Sequence, residues 1–175
     1  RVNDKLSEAI KEKEKIINEM DTIILSTIDA NGMPNSSYAP TVIDTEGNFY
    51  IYISELSKHT QNLLSNNNVS FMIIEDESKS ENIFARRRFT INGKSNEIIR
   101  DSEDWYIKIA LLEDKFNEQI SFLKNMTDFH LFKFIPEDGL LVHGFGKAFR
   151  FIGKELNEIN HLNDKGHTKK SDSTK

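Results

Sequence analysis

The chain has 175 residues, 37% of them hydrophobic and 29% charged, with a formal net charge of −5 and no cysteine. That length and composition predict one globular domain, 1–175, with a core of its own. The negative balance argues against nucleic acid and anionic membrane as partners. No apolar run is long enough to span a bilayer, and zero cysteine excludes disulfides, thiolate nucleophiles and Cys-ligated metal centres while fitting a reducing cytoplasm. The opening at Arg1 rather than Met leads us to expect a preceding segment.

In chain order, Asn3 or Asp4 caps a helix whose apolar positions Leu6, Ile10, Ile17 and Met20 recur near helical period. Thr22–Ile28 is β-rich and runs into Asp29-Ala30-Asn31-Gly32, a turn signature. Ser36–Ile43 and Asn48–Ser54 read as the next strands, with Glu46-Gly47-Asn48 turning between them. His59–Leu64 is a short helix stopped by Ser65-Asn66-Asn67-Asn68. Val69–Ile74 reads as a buried strand, Glu75–Glu81 as a solvated acidic loop, and Phe84–Ile99 as a long strand bent near Asn92-Gly93. Asp101–Ser121 is helical, as one helix or two, with Trp105, Ile109, Leu112 and Phe116 on one face. Phe129–Ile135 is a strand ended by Pro136, and Leu140–Ile152 a second one after Glu137-Asp138-Gly139. Gly153 opens a last short helix. Six or seven strands with helices around them predict a mainly β (α+β) antiparallel barrel with a core at about 20–153. A C-terminal helix and ligand-binding tail then occupy 154–175.

Two strand segments and the tail carry candidate chemistry. Within Ala85–Lys94, a strand reading puts Arg86 and Arg88 on one face and Arg87 on the other. Two guanidiniums on one face can grip a phosphate or carboxylate, or hydrogen-bond a bound oxygen species. The plain alternative is arginine stems lying over apolar surface with their heads in water. Within Leu141–Arg150, alternation puts His143, Phe145, Lys147 and Phe149 on one face and Val142, Gly144, Gly146 and Ala148 on the other. So bare a face suits tight sheet packing, or the close approach of a partner subunit or a flat ligand.

The five histidines differ in setting. His59 begins a helix, His130 alternates with Phe132 and Phe134, His143 lies among aromatics where it can touch a ligand, and His161 ends a helix. His167 alone sits in a glycine-flexed, lysine-rich tail, where an imidazole has no folding role and can reach a ligand from outside the core. No pair has zinc-protease spacing. Haem needs only one histidine, because the porphyrin supplies four other ligands. Nucleophilic catalysis has no marker, since neither Gly-x-Ser-x-Gly nor cysteine occurs.

Ser36–Pro40, Ser54–Leu63, Ala85–Phe89, Asp128–Phe132, Val142–Phe149 and the Gly166–Lys170 tail together resemble the HugZ family of haem oxygenases. That family belongs to the flavin-reductase-like and pyridoxamine-phosphate-oxidase-like split β-barrels. The likeness runs from about residue 20 to the C-terminus. The strand segments are common to the wider superfamily, and the tail histidine is the discriminating element. The resemblance implies a homodimeric split barrel with haem at or near the subunit interface. It also implies oxidative opening of the porphyrin to biliverdin, carbon monoxide and free iron, for iron acquisition, with dioxygen and an external electron donor. His167 matches the C-terminal histidine that ligates the iron axially, and Arg88 the distal arginine that hydrogen-bonds dioxygen. Lys94, Lys147, Arg86 and Lys169 are candidate cations for the haem carboxylates, with His161 an alternative iron ligand. Family members are longer at the N-terminus than this chain. Two rival readings stand beside it. One is an FMN-dependent oxidoreductase whose phosphate is held by Arg86, Arg88 and Lys94, and the other a non-catalytic haem or flavin carrier.

Overall fold

The computed structural model describes residues 2–162, and within them nine strands join into one antiparallel sheet. Helix α1 (Val2–Glu19) buries Ala9 and Ile16 against the sheet's inner side. Strand β1 (Thr22–Ile28) alternates strictly, Ile23 and Leu25 inward, Ile24 and Ser26 outward. It turns into β2 (Pro34–Pro40) through a loop in which the Asp29 carboxylate accepts from the Asn31 and Met33 amides, both at 2.9 Å. There follow β3 (Val42–Ile43), β4 (Phe49–Ser54), α2 (Lys58–Ser65), β5 (Asn68–Ile74), β6 (Arg88–Ile98), α3 (Glu103–Phe116), α4 (Glu118–Leu123), β7 (Phe129–Val142), β8 (Ala148–Ile152) and β9 (Glu158–His161).

The sheet order is β2-β1-β5-β6-β7-β4-β3, with β8 and β9 attached to the far half of β7. β4 pairs with Phe129–Phe134 and β8 with Asp138–Val142, so β7 serves two branches and the sheet curls into a split barrel. The expected fold class stands, although the strands outnumber the six or seven read from sequence. Pro136 does not end a strand: β7 is one 14-residue element. Beside it the register shifts between Asn92 and Gly93: Pro136 pairs with Gly93 and Asp138 with Asn92, so Glu137 is the extra residue of a β-bulge.

Three other boundaries also move. The strand expected from Phe84 starts only at Arg88, because Ile83–Ala85 forms a 3₁₀ turn capped by Asn82, whose side chain accepts from the Phe84 amide at 3.0 Å. The strand expected across Leu140–Ile152 is broken by a hairpin turn. His143 N–H donates to Lys147 O and Lys147 N–H to Gly144 O, each at 3.1 Å, with Gly146 at φ +73°. Alternation therefore does not govern residues 143–147. Past Gly153 there is a single 3₁₀ turn, then β9, so His161 lies on a strand and not at a helix end.

Side chains that point inward, among them Phe71, Phe89, Ile91, Phe134, Phe149 and Phe151, form the main core under α1. A second core lies outside the sheet, where α3 and α4 bring Trp105, Ile109, Leu112 and Ile120 onto Tyr50, Tyr52, Ile98 and Leu131. Ser102 caps α3 by accepting from the Trp105 amide at 3.1 Å, and Asn117, at φ +51°, separates α3 from α4. These two helices cover only part of the outward surface. No described helix is long and apolar enough to cross a membrane.

Candidate functional site

Beyond α3 and α4, the pairing register lines up the outward side chains in rows. Tyr38 stands opposite Ile24, Ile24 opposite Met72, Met72 opposite Thr90, and Thr90 opposite Leu140. In the next row Ile74 faces Arg88, Arg88 faces Val142, and Val142 faces Ala148. Tyr38 is 68% exposed, Ile24 41% and Leu140 40%. Arg88 thus stands inside an apolar band that no described helix covers.

Arg88 is half-buried, and among the described residues its guanidinium makes one hydrogen bond, from Nη1 to Arg86 O at 3.0 Å. A guanidinium has five N–H donors, so most of its capacity is uncommitted. Arg86 precedes the strand and does not share its outward face. Its Nε and Nη2 both donate to Glu75 O, at 2.9 and 2.6 Å, and its Nη1 lies 3.5 Å from Glu77. Arg87 turns to α1, with Nε 3.2 Å from Glu12 and Nη1 3.7 Å from Glu19. Glu75 is the centre of this arrangement. It is 7% exposed, accepts the Arg87 amide on Oε1 at 2.8 Å and donates its own amide to Arg87 O at 2.9 Å. The expected solvated loop therefore begins one residue later than the sequence suggested. An acidic residue directly after a buried strand, facing an arginine triplet, was the available signal.

Lys94 shares the outward face with Arg88 but lies six residues further along β6, roughly 20 Å away at a strand's rise per residue. Its Nζ bonds Asn68 Oδ1. His143 and Lys147 lie at the Arg88 end of the sheet yet turn the other way, toward α1. Lys147 Nζ is 3.9 Å from Glu8, and the His143 ring stacks on Phe149, which in turn stacks on His161. With Glu8, Glu12, Glu75 and Arg87 they line a cleft of about 630 Å³. Burial pulls the His143 imidazole below its ordinary pKa, and Glu8 opposes the shift. His59 bonds Ser37 Oγ at 2.8 Å and is likewise lowered by burial, while His130 Nδ1 lies 2.5 Å from Glu97 Oε1. Among the described residues no three His, Cys, Asp or Glu side chains are grouped to hold a metal ion. His167 and Lys169 lie outside the described residues.

The family model for pyridoxamine 5'-phosphate oxidase matches residues 9–143, from within α1 through β7. The chain belongs to this family. The match ends before β8, β9 and the tail, so placement within the oxidase-like barrels comes from individual relatives. HutZ of Vibrio cholerae, described as a haem oxygenase, is 41% identical over 169 residues, which is 97% of this chain and 93% of its own. The HutZ crystal structure, where the protein is described as a haem storage protein, aligns with a TM-score of 0.69 at 41% identity over 73% of this chain and 89% of its own. ChuZ of Campylobacter jejuni aligns with a TM-score of 0.83 at 32% identity, over 94% of this chain and 66% of its own. Within the oxidase-like family, then, the chain groups with HutZ, and the resemblance read from its sequence holds.

Proposed function

We propose that this protein takes haem as its substrate, bound over the outward band around Arg88 between two copies of the chain, and opens the ring to biliverdin, carbon monoxide and iron. Dioxygen and an external electron donor drive the reaction, which serves iron acquisition in the cytoplasm. The observation that carries this reading is the placement of Arg88: a guanidinium with donors to spare, in the middle of uncovered apolar surface, in a chain 41% identical to a protein described as a haem oxygenase. The donor set fits the molecule. A porphyrin is flat and largely apolar, as Met72, Ile74 and Val142 require. A fixed guanidinium beside it stabilises negative charge as it builds on dioxygen.

His167 is the proposed axial ligand. Leu162 N–H donates to Ala148 O at 2.9 Å, which puts the end of the described chain in the row of Arg88, Val142 and Ala148. Three strand spacings separate that row's ends, about 14 Å. The five residues from Leu162 to His167 can extend to about 17 Å. That length is compatible with the proposed axial role at the Arg88 surface. Of the other proposed haem contacts, Lys147 and His143 stand on the α1 side, and Arg86 and Lys94 already have partners.

Hemin added to the purified protein should give a Soret band that His167→Ala shifts or weakens. An unchanged spectrum in that variant removes the axial role. With reductant and oxygen, Arg88→Ala should still bind hemin but turn over about 100-fold more slowly, and full activity would reject the distal role. The family match keeps an FMN-dependent reading as the second possibility. Against it, Arg86, Arg88 and Lys94 do not converge on one phosphate. A yellow protein that releases FMN on denaturation would favour it. Hemin binding without turnover would favour a carrier.

A further inference from the structure

We propose that Glu75 is a positioning residue for Arg88, acting through the peptide group between Arg86 and Arg87. This inference rests on the haem reading of Arg88 given above. The carbonyl of Arg86 and the amide of Arg87 belong to one planar trans peptide and point in opposite directions. On one side the Arg87 N–H donates to Glu75 Oε1 at 2.8 Å; on the other the Arg86 carbonyl accepts Arg88 Nη1 at 3.0 Å. Whatever fixes the plane at the Glu75 end therefore fixes the direction of the one described hydrogen bond of the Arg88 guanidinium.

The plane has further restraints, most of them at Glu75 and the rest from α1. Glu75 N–H donates to Arg87 O at 2.9 Å, and the Arg86 fork closes on Glu75 O at 2.9 and 2.6 Å. The Arg87 guanidinium is held by Glu12 at 3.2 Å and lies 3.8 Å from Glu75 Oε2, which ties the turn to α1. A free arginine side chain samples many rotamers, and ordering it on a ligand costs conformational entropy. A guanidinium already held at one corner loses less when it meets its ligand, and it meets it in a set direction. The arginine triplet thus divides its work. Arg87 anchors the turn, Arg86 braces Glu75, and Arg88 faces the ligand.

The test uses the full chain loaded with hemin, reduced and exposed to carbon monoxide, whose C–O stretch reports a hydrogen-bond donor beside it. Arg88→Ala should raise that frequency. Glu75→Ala should raise it in the same direction, slow turnover by roughly tenfold or more, and leave hemin affinity within about threefold. Glu75→Gln, which can still accept from the Arg87 amide, should restore the wild-type band. The double variant Glu75→Ala/Arg88→Ala should match Arg88→Ala alone, because both act on one group. A wild-type band in Glu75→Ala, or additive effects in the double variant, overturns the positioning role while leaving Arg88 intact. Should Glu75→Ala fail to fold, Arg86→Ala must shift the band in the same direction, and an unshifted band there overturns the proposal equally. If Arg88→Ala itself leaves the band unmoved, the haem reading falls first and takes this inference with it.

Discussion

Burial against Phe149 and α1 pulls the His143 imidazole below its ordinary value of 6.5, with Lys147 adding to the shift and Glu8 and Glu12 opposing it. His59, in the first turn of α2 and bonded to Ser37, is lowered by burial alone. An unfolded chain takes up these protons near 6.5, whereas the folded chain takes them only at lower pH. Below about pH 6.5 the unfolded state therefore binds more protons, and stability falls as pH drops through that window while staying level above it. Thermal unfolding of the full chain should show a midpoint that declines from about pH 6.5 to 5.5, before most carboxylates titrate, and His143→Gln should flatten part of the decline. An identical decline in that variant would clear His143 of the effect. The aromatic setting of His143 was legible in sequence, because Phe149 follows at a fixed distance. The burial of Glu75 was signalled only by its place directly after a buried strand. Three consecutive acidic residues look solvated until Arg87, just ahead of β6, returns to the first of them.

At the scale of elements, two glycines with opposite environments separate strain from crowding. A Cβ on Gly93 would lie 2.2 Å from the Ile135 carbonyl oxygen, a backbone atom inside the β6–β7 bulge that cannot move without opening the ladder. Gly93→Ala should cost about 3 kcal/mol, the upper range for overpacking, which lowers the melting midpoint by roughly 10 °C for a chain of this size. Gly146 has open space around it but sits at φ +73°, so Gly146→Ala should cost only about 1 kcal/mol, the strain of a left-handed residue. Calorimetry on both variants decides the matter, and equal losses would contradict the bulge argument. The same two sites show where sequence reading stops. β-rich composition gave the strands at Thr22–Ile28 and Val69–Ile74 directly, and the structure adds that only alternate residues of each are buried. Gly144-Phe145-Gly146 fits alternation equally well, and only the hairpin bonds between His143 and Lys147 reveal a turn. Pro136 reads as a terminator because proline lacks an amide, yet it pairs with Gly93 next to the bulge and the strand runs on to Val142.

For the molecule as a whole, the split barrel followed from many short alternating strands, but its unfinished outer side did not. Alternation says which residues leave the core, not whether a helix, a ligand or another chain receives them. α3 and α4 receive Tyr50, Tyr52 and Leu131. The band around Ile24, Tyr38, Met72 and Leu140 has no such cover among the described residues, and the proposed homodimer supplies it. Ile24 stands in that row between Tyr38 and Met72. In a lone chain Ile24→Glu replaces a half-exposed side chain and should change stability by less than about 0.5 kcal/mol. In a face-to-face pair it places a carboxylate against apolar surface twice, once from each copy, and an unpaired buried charge costs several kcal/mol. Sedimentation should therefore find the wild type at twice the 20.2 kDa chain mass and Ile24→Glu at the single-chain mass, with the melting midpoint of the isolated fold preserved. Because the proposed haem site spans both copies, hemin affinity should fall with dimerisation. A variant that remains dimeric moves the interface elsewhere, and a monomeric wild type that binds hemin fully confines the site to one subunit.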